Sequence, residues 1–381
     1  MIPVLLWSDA LLFLLLAGVF ILVWAMRHRD WLRDPWRQVM KSRVGQGSAL
    51  ILAAFFAIGL LDSLHYRERL PDVPGKPAQY SGEVLSALDW LATPLRERVE
   101  KTYSAPLATH LYAKETLKGT DGVERRDYPP LKYPGTHLLG TDKVGQDVLY
   151  LSLKSIRTGL LIGALTTLVM LPLALGLGIA AGYFGGRVDD VIQYVYTTLN
   201  SIPGVLLIAA AVLVVQVQVE AHAALFDTAA ARADVRLLAL CAIMGLTGWT
   251  GLARLLRGEV LKLRELEFVQ AARAFGVRPL RILARHLLPN VMHLVLITVV
   301  LDFSGLVLAE AVLSYVGVGV DPAMNSFGNM INGARLELAR EPVVWWQLAA
   351  AFVFMFVLVL AANLFADKVR DALDPRAGGK T

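Results

Sequence analysis

The stretch Pro289-NVMHLVLITVVLDFSGLVLAEAVLSYVGVG-Val320 runs for 32 residues without a lysine or arginine, and its only acids are Asp302 and Glu310. An α-helix rises about 1.5 Å per residue, so about 20 apolar residues cross the roughly 30 Å hydrocarbon core of a bilayer. The stretch therefore suits one crossing and is too short for two. Gly317 and Gly319 mark where its outer end emerges or breaks.

Six more stretches read the same way: Val4–Met26, Ser48–Leu64, Thr158–Phe184, Tyr194–Val219, Leu237–Ala253 and Val343–Ala366. The composition agrees, with 56% hydrophobic and 18% charged residues among 381, against about 25% charged in a soluble domain. The expected fold is all-α, a polytopic membrane protein of about seven transmembrane helices. The first stretch has no basic region ahead of it, and Trp24–Arg27 offer no small-residue cleavage site, so it reads as a retained helix rather than a signal peptide.

The net charge of +5 is concentrated. Six Lys/Arg face two acids between Arg27 and Gly47, and eight face three between Arg254 and Leu287. The segments 218–236 and 318–342 each hold two basic and three acidic residues. Basic residues collect in short cytoplasmic loops, which places the N-terminus outside and the C-terminus inside. A charge excess confined to membrane loops does not suggest a nucleic-acid partner.

One connection is long. Residues 65–155 are hydrophilic and carry 13 basic and 12 acidic residues; a loop of that length escapes the charge rule. It is Pro-rich around Leu70–Pro77, and Val84, Leu85, Leu88, Leu91, Leu95 and Val99 then recur at helical spacing. This predicts an amphipathic helix in an outer cap, or one lying in the membrane interface with Trp90 as its anchor.

Catalytic patterns are missing. The seven histidines form no H-E-x-x-H pair, so a metal site is not expected. Cys241 is single and sits inside a predicted span, which excludes an intrachain disulfide. Gly379-Lys380-Thr381 imitates the end of a phosphate-binding loop, but Asp374 stands where the first glycine belongs and no helix can follow. The chain is not expected to be an enzyme or to bind a cofactor itself. Asp302 and Glu310 are the intramembrane candidates, about 80° apart around a helix. They would either line a solute path or make interhelical hydrogen bonds. Asn363 is a milder case. Pro172, Pro203, Gly176, Gly178 and Gly182 fit kinked, closely packed helices.

The loop preceding Pro289 reads Glu267-FVQAARAF-Gly276-VRPLRILARHLL-Pro289-Asn290. Helix formers fill residues 265–275, Gly276 can end that helix in a left-handed conformation, and Pro279 suits the first turn of another. Small Ala271 and Ala272 permit close approach of another surface, and Arg273, Arg278, Arg281 and Arg285 supply charge. A basic juxtamembrane loop that binds anionic lipid is the plainer alternative.

The loop resembles the EAA motif of the permeases of ABC importers, in which E-A-A-x3-G is followed by I-x-L-P. Here Gln270-Ala271-Ala272, Gly276 and His286-Leu287-Leu288-Pro289 hold those places. Gln270 replaces the glutamate, with Glu267 one turn earlier, and His286 is common in the dipeptide/oligopeptide/nickel branch. Other islands resemble that branch: His137–Asp142 with Gly145-Gln146-Asp147, Ala181–Asp189, Leu308–Ala311, Leu313–Gly319, Gly328–Met330 and Arg370–Arg376. Gln146 and Phe327 depart from the usual Arg and Trp.

The resemblance covers residues 137–376 and implies a six-helix type I permease core in a bacterial inner membrane, with an extra N-terminal helix. Its implied division is 1–47 (extra helix and basic linker), 48–64 (first core span), 65–155 (external segment), 156–376 (core, with coupling loop 254–288) and 377–381 (tail). The implied partners are ATP-binding cassette subunits that hydrolyse the ATP, a second homologous permease, an external solute-binding protein, membrane lipid and a peptide substrate. Glu267, Gln270, Ala271, Ala272, Arg273, Gly276 and Pro289 would couple the ATPase to the spans, with Ala271 and Ala272 as the contact face. The rival is an ion-coupled secondary transporter working through Asp302 and Glu310.

Overall fold

The computed structural model describes residues 2–26, 38–71, 79–118, 124–226 and 228–373. Most of the basic linker from Arg27, most of the Pro-rich stretch and the end of the Arg370–Arg376 island lie outside them. Among the described residues, six helical stretches are long and apolar enough to cross a membrane: Arg43–Asp62, Val148–Phe184, Gly204–Ala221, Ala229–Leu263, Pro279–Val316 and Trp346–Ala372. They are built from α2 (Arg43–Asp62), α5 (Val148–Phe184), α7 (Gly204–Ala221), α8 and α9 (Ala229–Gly248, Thr250–Leu263), α12 (Leu288–Val316, continuing short α11, Pro279–Ile282) and α14 (Trp346–Leu373). The extra helix is α1 (Trp7–Met26), with a shorter apolar run over Trp7–Gly18.

Local chemistry sets the ends. The Asp147 carboxylate accepts from the backbone N–H groups of Leu149 and Tyr150, starting α5 well before the expected Thr158. At 37 residues, α5 is about 55 Å long and must project beyond the hydrocarbon. Gly317 takes φ +89° and ends α12, so that stretch is one span, broken where expected.

Three expectations need correction. Tyr194–Val219 is not one span: α6 (Gly186–Asn200) stops, and α7 starts after Pro203, which has no N–H to continue a helical ladder. Helix α9 persists to Leu263, so the loop begins about ten residues after Arg254. The helix expected around Val84–Val99 is instead β3 (Leu85–Ser86) followed by α3 (Ala87–Leu91) and α4 (Thr93–Glu97). Ser86 and Asp89 form a capping box that starts α3 afresh, and Pro94 opens α4, splitting the apolar run.

The outer segment contributes two small sheets. β1 (Ile2–Val4), β2 (His65–Arg67) and β3 pair antiparallel, with Pro3 opposite Tyr66 and His65 opposite Ser86. β4 (Glu115–Lys118) pairs with β5 (Glu124–Asp127). The chain start thus lies on the same side of the bundle as residues 65–67 and 85–86.

Three apolar clusters hold the bundle. One joins α5, α9 and the start of α12 around Leu256, Val260, Ile282 and Val291. Another joins α2, α5, α12 and α14 around Phe55, Ile156, Val307 and Leu358. The third seats Leu12 of α1 against Leu161, Leu165 and Leu240. Helices α5 and α9 touch through glycine: a Cβ on Gly182 would lie 2.7 Å from Val260 Cβ, and one on Gly178 would lie 2.7 Å from the Ala253 oxygen. By contrast α7 buries only Val212 and Val219.

A buried polar network pins α1 to the core. Asp9, 0% exposed, accepts from Arg157 of α5 at 2.6 Å and sits 2.7 Å from His65 Nδ1. Arg157 also donates to Ser8 and Ser63, and the Ser8 N–H donates to Asp234 of α8 at 3.0 Å. Charges cannot be left bare in an apolar bundle, so these residues fix the position of α1.

Candidate functional site

The loop folds as the sequence predicts, into helix, turn and helix. α10 (Glu267–Ala274) ends at Gly276, φ +71°. The Val277 N–H donates to the Ala272 oxygen and the Gly276 N–H to the Arg273 oxygen, the paired bonds of a Schellman termination. Pro279 opens α11, a π-helical turn over Leu283–Leu287 follows, and Pro289 lies in the first turn of α12. The loop is thus continuous with a membrane span at each end.

Its inner face is apolar. Val269, Ile282 and Leu287 are fully buried against α5 and α9, and Ala272 joins them. Ala272 therefore belongs to the chain's own packing, and the expected contact pair reduces to Ala271, which is exposed. The reason is helical period: Val269 and Ala272 lie three apart on one face.

The outer face presents Phe275 at 87% exposure and Leu280 at 77%, with Leu266 and Phe268 nearby. Phe275 and Leu280 are the two most exposed large apolar side chains among the described residues. Glu267 and Gln270 are exposed beside it, the Gln270 amide donating to the Glu265 oxygen at 3.0 Å. Arg278, Arg281 and Arg285 are exposed and make no ion pair among the described residues.

Arg273 is engaged differently. Its guanidinium lies 4.4 Å from the centroid of the Tyr183 ring, at the C-terminal end of α5. Arg264 donates to the Gly182 oxygen at 3.1 Å, and Arg257 of α9 forks onto Asp189 of α6 at 2.5 and 2.6 Å. Those hydrogen bonds hold the Asp189 carboxyl below the usual carboxylate range. The Ala181–Asp189 island is therefore the seat on which the loop rests. Sequence reading quoted both stretches without joining them, since they lie about 80 residues apart.

The two intramembrane acids separate. Glu310 is buried and accepts from Ser314 at 2.7 Å. It abuts α13 (Phe327–Arg335) at Gly328, where a Cβ would come within 2.9 Å of Glu310 Oε1 and 2.5 Å of Ser314 Cβ. Asp302 is half-buried and makes no hydrogen bond or ion pair among the described residues. Asn363 of α14 accepts from Ser304 at 2.9 Å, an interhelical bond. The polar group that reading missed is Asp9, Arg157, His65 and Asp234. Its signal was present, an aspartate and a serine inside the first apolar run.

Residues 174–379 match the family described as binding-protein-dependent transport system inner membrane component. The chain is 33% identical over 246 residues to the oligopeptide transport system permease protein OppC of Mycobacterium tuberculosis, covering 64% of this chain and 78% of that one. It is 30% identical to the dipeptide transport system permease protein DppC of Lactococcus lactis subsp. cremoris, covering 91% and 90%. That second alignment reaches over 91% of this chain. It therefore includes at least part of residues 65–136. A solved MetNI methionine ABC transporter in an inward-facing conformation overlays 58% of this chain and 94% of its own at TM-score 0.41 and 17% identity.

Proposed function

The chain belongs to the family of binding-protein-dependent transport inner-membrane components, a multi-pass permease subunit of an ABC importer, and from that premise we propose that it moves peptides as one of two homologous permeases. Two ATP-binding cassette subunits hydrolyse the ATP on the cytoplasmic side, and a solute-binding protein delivers peptide outside. The peptide assignment rests on the names of the relatives, oligopeptide and dipeptide permeases. The sidedness rests on the two basic loops, with the N-terminus and residues 65–136 outside and the C-terminus in the cytoplasm. The pairing of β1 with β2 agrees with it.

One observation carries the coupling role: Phe275 stands almost bare on a helix pair whose other face is packed against α5, α9 and the start of α12. A partner that grips Ala271, Phe275 and Leu280 pushes on α5, α9 and α12 together. Gly276 sets the turn, Glu267 and Gln270 flank the contact, Pro289 starts the following span, and Arg278, Arg281 and Arg285 meet acidic groups on the partner. Arg273 and Ala272 work from behind, holding the helix to its seat. The ion-coupled rival loses its paired carboxylates, because Glu310 is committed to Ser314 and α13.

The test is co-purification from membranes of wild type and of Ala271→Glu and Phe275→Asp variants, with quantification of the bound ATPase subunit. Wild type retains it and both variants lose it while remaining folded. A well-folded wild type that carries no ATPase sinks the proposal and directs attention to Asp302.

A further inference from the structure

A cavity of about 340 Å³ opens on the side of the bundle where the chain begins, walled by α5, α8, the outer segment and the loop at Asn325. That is the size of a site for a small molecule, since such pockets run from about 300 Å³ upward. Its rim includes exposed Gly82 and Glu83, so it is reached from outside. Ala229, Ala230 and Ala233 line it on α8.

The charges in its wall do not balance. Lys154 is held by two carboxylates, Asp62 at 2.6 Å and Asp89 at 3.0 Å, which leaves that group one negative charge in excess. Arg157 is neutralised by Asp9 at 2.6 Å, with His65 on the other oxygen. Asp234 remains. It is 2% exposed, its Oδ2 accepts the Ser8 N–H, and its Oδ1, buried in the cavity wall, has no hydrogen-bond partner among the described residues.

A buried carboxylate oxygen without a partner is costly and uncommon in a native fold. Lys154 and Arg157 are already paired and His65 sits on Asp9, so what Asp234 Oδ1 lacks is a hydrogen-bond donor, and a cationic donor suits a carboxylate best. A primary ammonium has three N–H donors and fits beside one free carboxylate oxygen. Among the described residues no group of three or more His, Cys, Asp or Glu converges to hold a metal ion.

We propose that this outer cavity is a binding site for a primary ammonium group, with Asp234 as its charged anchor. The ammonium comes either from a free amine or from the amino terminus of a short peptide. The site is separate from the loop that docks the ATPase, and it stands or falls independently of the peptide assignment.

The test is calorimetric titration of the full chain in its purified complex, without the solute-binding protein, using putrescine, dialanine and N-acetyl-dialanine. Saturable binding of putrescine or dialanine is expected, with N-acetyl-dialanine at least tenfold weaker than dialanine wherever dialanine binds. Asp234→Asn should weaken it at least tenfold. Ala230→Leu, which narrows the cavity and keeps every charge, should weaken it too, and it decides the matter if Asp234→Asn fails to fold. Glu124→Gln, exposed on β5 and outside the cavity lining, should leave it unchanged. Dialanine binding identifies a peptide terminus as a source, and putrescine binding alone a small amine. Binding by neither, equal binding of the acetylated peptide, or affinity that survives both cavity variants overturns the proposal.

Discussion

The Arg273 guanidinium stacks over the Tyr183 ring at 4.4 Å, tying α10 to the C-terminal end of α5, the longest helix. A cation over an aromatic face is worth about 0.5–2 kcal/mol, depending on how dry the contact is. On the proposed coupling role, the contact would carry displacement of α10 into α5 without itself touching the ATPase.

Tyr183→Ala should therefore leave the ATPase subunit bound while lowering the solute moved per ATP hydrolysed. Tyr183→Phe should restore it, because the ring face remains. Paired measurement of uptake and hydrolysis in reconstituted vesicles checks this. Equal losses of assembly and uptake in Tyr183→Ala would point to a folding defect instead.

Gly276 has φ +71°, yet a Cβ built there meets nothing within 4 Å. The cost of Gly276→Ala is then conformational alone, about 1–2 kcal/mol. The variant should assemble with somewhat reduced ATPase occupancy, whereas Gly276→Pro, which also removes the N–H bonded to Arg273, should lose nearly all of it. Quantitative immunoblotting of the purified complex separates the two.

Gly328 should tolerate no side chain. A Cβ would lie 2.5 Å from Ser314 Cβ and 2.9 Å from the Ala311 Cα, neither of which can swing aside. Gly328→Ala should cost about 1–3 kcal/mol through overpacking, read as a lower melting temperature in detergent. Gly258→Ala, where nothing lies within 4 Å, serves as the control.

Removing one partner of the network that pins α1 should be severe. Asp9→Ala leaves Arg157 buried without its carboxylate, at a cost of about 3–5 kcal/mol. The double variant with Arg157→Met should recover part of that loss. A double-mutant cycle on thermal stability gives the interaction, and additive effects would mean that the pair does not couple.

Asp189 gives a pH signature. Its folded pKa lies below the ordinary 3.8 because Arg257 hydrogen bonds to it. Its contribution is present above that value and is lost as pH falls through the lower folded pKa. Stability of wild type should drop on acidification below about pH 3.8 more steeply than that of Asp189→Asn, which is less stable at neutral pH to begin with. Parallel curves for the two proteins would contradict the assignment.

Apolar length and the Gly276 and Pro279 signals determined most of the spans, their order and the helix-turn-helix of the loop. These properties are local: a helix of sufficient apolar length must cross, and a left-handed glycine ends a helix, whatever surrounds it. Pro203 carries a local signal as well, but one that fits a kink as readily as a break, because the apolar run resumes directly after it.

Only the tertiary structure decided which face of α10 is free, that Ala272 points inward, that Tyr183 and Asp189 form the seat, and that Glu310 is committed to α13 while Asp302 is not. It also brought Asp9, Arg157, His65 and Asp234 together from four separate segments. The physical reason is the same each time. Periodicity says which residues share a face, but which face meets a neighbour, and which charge finds its partner, depends on contacts between segments distant in the chain.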